Sequence, residues 1–318
     1  MSHVVTASHL RGVTVATVMP FGADGAIDWA GYDRLLDYCV VGKGLAAVFV
    51  NGHAGEVAAL TPGERSAVIA HTRRRVGADM PLLAGIVAYS TAEAVVRAQE
   101  AEQAGADVAV LFPFPQFSGG GGGHAGAALA YLHAVLDAVR IPVSVFQYPV
   151  RSGAGFSTEV LCQMARLPRM LAIKEGSGDI GIYEDNWRAV KAVAPEVAIL
   201  PSNYDWLLPQ LAVGGDGILS GMGSLLPDLL VELWQASARD DLPAMREASA
   251  RLYPIERAIY GAPPAMDMHT RIKVALRHLG VIGSALPRAP LPPIAADVER
   301  QVCLAVDAAG LRRPGAGA

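Results

Sequence analysis

Eight short apolar runs alternate with amphipathic stretches along this chain, and this alternation restricts the folds open to it. The runs are rich in Val, Ile and Ala, and the stretches between them have helical spacing. Strands are predicted at 12–18, 46–50, 82–87, 107–112, 142–147, 170–174, 197–200 and 216–220. Helices are predicted at 30–41, 64–76, 91–104, 125–139, 158–166, 180–194, 203–213 and 226–239.

Strands that each lead into a helix, eight times over, predict an α/β fold of the (β/α)8 TIM barrel type. The continuous apolar runs suit strands that are covered on both faces. An open, doubly wound sheet is the alternative. It usually has fewer units and often a glycine-rich first turn, which residues 19–25 do not supply.

The chain is predicted to divide into three parts. Residues 1–240 form the barrel, and residues 241–310 form a C-terminal helical region packed on it, with helices at about 242–260, 268–280 and 295–309. Residues 311–318, rich in Gly, Ala and Arg, are expected to be a disordered tail.

Composition excludes several classes of protein. No apolar stretch reaches the roughly 20 residues of a membrane span, and the first residues do not resemble a signal peptide. The three cysteines are far apart without a CxxC, which favours a reducing cytoplasm over disulfides or a zinc cage. A net charge of −4 offers no field for nucleic acid. No metal-ligand spacing is present, and we expect neither metal nor other cofactor.

Lys174 is the strongest chemical candidate in the sequence. It ends the apolar run 170–174 and is followed by the glycine-containing segment 175–179 (EGSGD), so it is expected at the carboxyl end of the sixth strand. Active sites of TIM barrels lie at that end of the strands. Partial burial there lowers the pKa of an amine and prepares it for Schiff-base chemistry. The alternative is a structural lysine paired with Glu175.

Five segments, in this order and spacing, resemble the dihydrodipicolinate synthase/N-acetylneuraminate lyase superfamily of Schiff-base class I aldolases. The family motifs are TPF, GTTGE, YNVP.RTG, IKEASGD and G..G.IS. The matching segments here are 14–21 (TVATVMPF), 51–56 (NGHAGE), 146–153 (FQYPVRSG), 173–179 (IKEGSGD) and 214–220 (GGDGILS). The resemblance covers roughly residues 11–310. It implies a TIM barrel, an imine-forming Lys174, a small 2-oxo acid substrate such as pyruvate, and a homotetramer or homodimer.

The chain departs from the family at three positions of its proton relay. Phe146 stands where the family has the relay tyrosine, His53 replaces the first threonine of GTTGE, and Pro115 replaces an aromatic residue that crosses a dimer interface. These changes argue against the synthase reaction itself. They leave the imine lysine and the carboxylate-binding turn in place.

Other residues are assigned to substrate contact or to acid/base work. The backbone of Gly52, Ala54 and Gly55 can bind a carboxylate as an anion nest, or it is an ordinary turn. His53 suits general acid/base catalysis, or it only bonds neighbouring turns. Tyr148, two residues after Phe146, is expected to share its face of the strand and restore a phenol there, with a core or rim tyrosine as the alternative. We place Phe146 itself in the substrate pocket.

Arg151 matches a family arginine that contacts a distal carboxylate, with a structural salt bridge as the alternative. Ser220 and Gly221 are predicted to line the pocket, and Glu175 to orient the Lys174 loop. The segment 118–124 (SGGGGGH) is not a phosphate loop. It is expected to be flexible, either as a lid over the mouth or as a tolerated insertion.

The sequence therefore predicts a cytoplasmic Schiff-base lyase acting on a small 2-oxo acid. A dehydratase or hydratase is preferred to a retro-aldolase, because family members that eliminate water can dispense with the relay tyrosine. A catalytically reduced protein that binds or senses a 2-oxo acid is the alternative from another class.

Overall fold

A computed structural model describes residues 5–202 and 206–311. Its eight parallel strands are β1 (Gly12–Ala16), β2 (Ala47–Val50), β3 (Leu82–Ile86), β4 (Val108–Leu111), β5 (Val143–Gln147), β6 (Met170–Glu175), β7 (Ala198–Pro201) and β8 (Gly217–Ser220). From β1 to β7 each strand pairs with the next, and β1 also pairs with β8. Every strand residue is buried. All eight predicted strands are confirmed within a few residues.

A helix follows each strand and covers the outside of the barrel. These helices are α1 (Trp29–Cys39), α2 (Pro62–Val76), α3 (Thr91–Gln103), α4 (Ala125–Ala138), α5 (Thr158–Ala165), α6 (Ile180–Val193), α7 (Leu207–Val213) and α8 (Pro227–Ser237). Several begin at a capping side chain: Ser90, Ser157 and Asp179 each accept a hydrogen bond from an N–H three residues later. These caps start helices promptly after the strands and keep those connections short.

Asp216 closes the barrel between β7 and β8. Its N–H donates to the Ile199 carbonyl oxygen (2.9 Å), and its carboxylate accepts from the Ile199 N–H (2.8 Å). Lys191 neutralises that carboxylate at 2.7 Å. The sheet is thus a nearly closed (β/α)8 barrel, and the alternative of an open sheet is wrong.

Three helices follow the barrel: α9 (Leu242–Ile259), α10 (Met268–His278) and α11 (Ala296–Ala308). α9 packs against α8, and α11 packs against both α9 and α10. Leu311 still contacts the core, whereas the rest of the predicted disordered tail, 312–318, lies outside the described residues. Within the described ranges, no helix is long and apolar enough to cross a membrane.

A buried ion pair joins α10 to the turn after β2. The Lys273 ammonium is fully buried and contacts the Glu56 carboxylate, and it also donates to the Leu286 carbonyl oxygen (2.7 Å). The other Glu56 oxygen accepts from the Arg288 N–H (2.9 Å). This network holds the C-terminal region against the mouth of the barrel.

We expect Lys273→Ala to lower the free energy of unfolding by about 3–5 kcal/mol, because it leaves Glu56 as a buried, unpaired charge. Urea unfolding followed by circular dichroism measures this loss. Lys43→Ala is the matched control, since its partner Asp228 is exposed and surface pairs are worth at most about 1 kcal/mol. Equal losses in the two variants would contradict a special role for the buried pair.

Candidate active site

A cavity of about 490 Å³ opens at the carboxyl ends of the strands. Seven residues that the sequence analysis placed in the site line it: His53, Ala54, Phe146, Tyr148, Arg151, Lys174 and Gly221. They come from β2, β5, β6 and β8 and the loops that follow them. The cavity is therefore where the barrel fold predicts an active site.

Lys174 lies in the wall of this cavity with its amine over two aromatic rings. Its Nζ atom is 3.9 Å from the ring centre of Phe146 and 5.2 Å from that of Phe49. The residue is only 8% exposed, and burial lowers the pKa of the amine to about 7. The rings favour the charged form by up to about 2 kcal/mol, so the loss of hydration outweighs them. A large fraction of the amine is consequently uncharged at neutral pH.

His53 and Tyr148 form a hydrogen-bonded pair beside this amine. The His53 Nε2 and Tyr148 hydroxyl are 2.6 Å apart, and the Tyr148 and Phe146 rings pack edge to face at 4.8 Å. Tyr148 thus reaches the position expected of it. Poor solvation raises the pKa of the phenol. The His53 side chain is exposed to solvent in part, although it lies among the aromatic rings at the mouth of the cavity. Desolvation and the Lys174 charge hold its pKa well below the usual value. The imidazole is uncharged at neutral pH and can accept a proton.

The turn after β2 presents backbone N–H groups close to the cavity. Asn51 and Glu56 bracket it in the left-handed conformation, with φ of 54° and 50°. Its backbone hydrogen bonds run from Glu56 N–H to the His53 oxygen (3.0 Å) and from Val57 N–H to the Gly52 oxygen (3.3 Å). Within the described residues, this leaves the N–H groups of Ala54 and Gly55 unpaired. Such a turn suits a carboxylate.

Gly52 and Gly55 shape this turn without lining the cavity themselves. A Cβ at Gly52 would lie 2.6 Å from the Phe49 ring, and one at Gly55 would lie 3.3 Å from the Thr17 carbonyl oxygen. The absence of a side chain at both positions permits these close contacts. Their predicted contact with substrate can therefore come only through the backbone.

The side chains of Glu175 and Ser220, near the ends of β6 and β8, are directed away from the cavity. The Glu175 carboxylate is buried and accepts from the Asn186 side chain (3.1 Å) and the Ser177 N–H (3.2 Å). This is consistent with a role in holding the loop after Lys174. The Ser220 hydroxyl is buried and accepts from the Met222 N–H (3.2 Å). Its strand neighbours Leu219 and Gly221 line the cavity instead. Ser220 is thus not part of the observed wall.

The glycine-rich segment does not line the cavity. It folds into two short 3-10 turns, Pro115–Gly119 and Gly121–Gly123, and lines no part of the cavity. A Cβ at Gly122 would lie 2.5 Å from the Gly155 carbonyl oxygen, so this glycine permits close packing against the loop after β5. The structure gives no support to the expectation of a lid.

Sequence reasoning missed the residues that the C-terminal region contributes. Tyr260, Met268 and His269 all line the cavity. A Cβ at Gly221 would lie 3.0 Å from the Tyr260 hydroxyl, so the missing side chain admits this phenol. His269 lies one helical turn before Lys273, on the same face of α10. Burial and the neighbouring charges lower its pKa. A helical His-x-x-x-Lys pattern was the available signal, but no family motif contains it.

Comparison with known proteins identifies the family. The model of the dihydrodipicolinate synthetase family matches residues 9–309, and the chain belongs to this family. A 4-hydroxy-tetrahydrodipicolinate synthase from Neisseria gonorrhoeae is 28% identical over 306 residues, covering 95% of this chain and 99% of that protein. A DapA-like lyase from Halobacterium salinarum is 32% identical over 259 residues, covering 80% of this chain and 81% of that protein.

Solved structures show the same fold. YagE from Escherichia coli K12, crystallised in complex with pyruvate, superimposes with a TM-score of 0.86 at 24% identity, covering 95% of this chain and 99% of that one. Dihydrodipicolinate synthase from Thermotoga maritima superimposes with a TM-score of 0.85 at 24% identity, covering 95% and 99%. The predicted superfamily and barrel are both confirmed.

The burial of Lys174 predicts unusual reactivity at neutral pH. Competitive acetylation followed by peptide mapping should give a Lys174 titration midpoint near pH 7, because the uncharged amine is the reactive form. N-acetyl-lysinamide in the same solution serves as the reference for a fully hydrated amine. A Lys174 midpoint that coincides with the reference would contradict the desolvated setting.

Proposed function

We propose that this member of the dihydrodipicolinate synthetase family is a Schiff-base-forming lyase that acts on a small hydroxy-2-oxo acid. The observation that carries the proposal is the Lys174 amine, which is buried on aromatic rings with a pKa of about 7 and opens into a 490 Å³ cavity. Relatives named as synthases and DapA-like lyases support an enzyme of this general chemistry.

In the proposed first step, the uncharged Lys174 Nζ attacks the C2 carbonyl carbon. One proton from the amine and one from solvent convert the carbonyl oxygen to water, which leaves, and a protonated imine remains. The imine carries the same positive charge as an ammonium, so the Phe146 ring at 3.9 Å continues to stabilise it. The substrate carboxylate is assigned to the N–H groups of Ala54 and Gly55.

The imine then draws electrons from the bonds at C3, and the His53–Tyr148 pair is proposed to move the proton. In aldol cleavage, the pair takes the C4 hydroxyl proton, the C3–C4 bond breaks, an aldehyde leaves and C3 becomes part of an enamine. In dehydration, the pair takes a proton from C3 to give an enamine and returns a proton to the departing C4 hydroxyl, which leaves as water. The pair at 2.6 Å serves either reaction.

The position of Tyr148 bears on the choice between dehydration, aldol cleavage and a protein that only senses a 2-oxo acid. The sequence preference for dehydration rested on the loss of the relay tyrosine, but Tyr148 returns a phenol beside Phe146. That preference therefore loses its main reason, and both lyase reactions stay within the proposal. A protein that only senses a 2-oxo acid is not favoured, because an acid/base pair remains next to the amine. The altered positions Phe146, His53 and Pro115 still argue against the synthase reaction itself.

Pyruvate with sodium borohydride tests the proposed imine directly. We expect one reduced adduct on Lys174, detected by intact mass and peptide mapping, because among the lysines, all of which the structure describes, only this one combines a lowered pKa with access to the cavity. Lys174→Met is the control and should gain no adduct. A wild-type protein without an adduct, or with one on Lys191 or Lys273, would refute the proposal.

Exchange of the pyruvate methyl protons with D₂O tests the proposed acid/base pair without the native substrate. His53→Ala and Tyr148→Phe should each slow this exchange by about 10²–10⁴-fold, the usual worth of a general acid/base, while Lys174 is still trapped by borohydride. Tyr89→Phe, which alters an exposed tyrosine outside the cavity, is the matched control. Near-native exchange rates in both site variants would show that the pair is not the acid/base catalyst.

A further inference from the structure

A second cavity of about 460 Å³ adjoins the first and has no role in the proposed chemistry. It lies between the turn after β2 and the C-terminal region, lined by side chains from the segments 53–59, 265–269 and 288–291. We name it the annex. His53, Ala265, Met268 and His269 line both cavities, so the annex continues from the mouth of the reaction cavity.

The charged groups in the annex wall already have partners. Glu56 is bound by Lys273 and by the Arg288 N–H, as described above. The Arg288 guanidinium donates to Glu64 at 2.8 and 2.9 Å and to the Gly25 carbonyl oxygen at 2.6 and 3.0 Å. These charges are therefore committed to the fold and are poorly placed to hold a charged ligand.

The rest of the annex wall is apolar. Val57, Ala58 and Ala59 form one side, and Met266, Pro290 and Leu291 form the other. Methionine side chains adapt to bulky groups of varied shape. An apolar cavity of roughly 150 Å³ is enough to bind benzene, so the annex can accept a group of at least that size. The two imidazoles at its entrance are its remaining polar groups.

We propose that the annex receives an uncharged, hydrophobic substituent of the substrate, so that the natural substrates are 2-oxo acids with a bulky apolar group beyond C4. This inference rests on the proposed Lys174 imine, which holds C2 in the adjoining cavity. The carbon chain of the substrate then passes between His53 and His269, next to the acid/base pair. Its apolar group is transferred from water into the annex. The competing possibility is a substrate with a distal carboxylate, held by the exposed Arg151 on the β5 side of the reaction cavity.

Borohydride trapping on Lys174 with three 2-oxo acids tests this inference. Pyruvate has no distal group, 4-phenyl-2-oxobutanoate has an apolar one, and 2-oxoglutarate has a charged one. Burial of a phenyl group predicts a half-saturating concentration about ten- to a hundredfold lower for the phenyl compound than for 2-oxoglutarate. Each concentration is read from the trapped fraction by intact mass.

Ala58→Phe places a ring in the annex and leaves every residue assigned to chemistry unchanged. It should raise the half-saturating concentration for 4-phenyl-2-oxobutanoate by about tenfold or more and change that for pyruvate by less than about twofold. Ala92→Phe is the matched control, since Ala92 is exposed on α3 and lines neither cavity. It should leave all three concentrations unchanged.

Each contrary result has a distinct meaning. If pyruvate is trapped but 2-oxoglutarate has a half-saturating concentration equal to or lower than that of the phenyl compound, the annex proposal is refuted and the proposed imine is not. If Ala58→Phe leaves the phenyl compound unaffected but alters the mass by light scattering, the annex belongs to an interface between copies, and the proposal also falls. If no compound is trapped on Lys174, the proposed function and this inference fall together.

Discussion

The buried ion pair between Glu56 and Lys273 is the interaction on which the arrangement of the site depends. Glu56 ends the turn that carries His53, and Lys273 lies one helical turn after His269. A buried charge is strongly destabilising without its partner, so the pair fixes α10 against the turn after β2. It thereby brings the C-terminal region to the mouth of the barrel. The pair therefore joins the two elements that supply His53 and His269, which line both cavities.

The chemistry of the site follows from how little water reaches it. Lys174, Tyr148 and His53 all have pKa values shifted towards their uncharged forms by desolvation. The Phe146 ring contributes to this environment and also lies 3.9 Å from the Lys174 amine. A phenylalanine at the family's tyrosine position thus removes a proton donor while it supports a cation. The hydroxyl is supplied two residues later, on the same side of the strand end.

Two cavities that share His53 and His269 connect the proposed mechanism to substrate choice. The reaction cavity is lined by the Lys174 amine and by Ala54 of the turn after β2, whereas the annex wall is largely apolar and its charges are paired. Under the two proposals made above, polar groups recognise C1 and C2 of a 2-oxo acid and the annex recognises an apolar group further along it. The glycine-rich segment has no part in this division, because Gly122 packs against Gly155 away from both cavities.

Local pattern was enough to predict the eight strands, the helices and the placement of Lys174, because periodic burial and short connections are encoded along the chain. The motifs identified the family through residues close in sequence. Tertiary structure alone decided that Tyr148 meets His53, that Ser220 faces away from the cavity, and that His269 and Tyr260 join the wall. These contacts join residues that are far apart in the sequence, by 95 positions for His53 and Tyr148. Their geometry depends on barrel closure and on the pairing of Glu56 with Lys273, neither of which has a local signature.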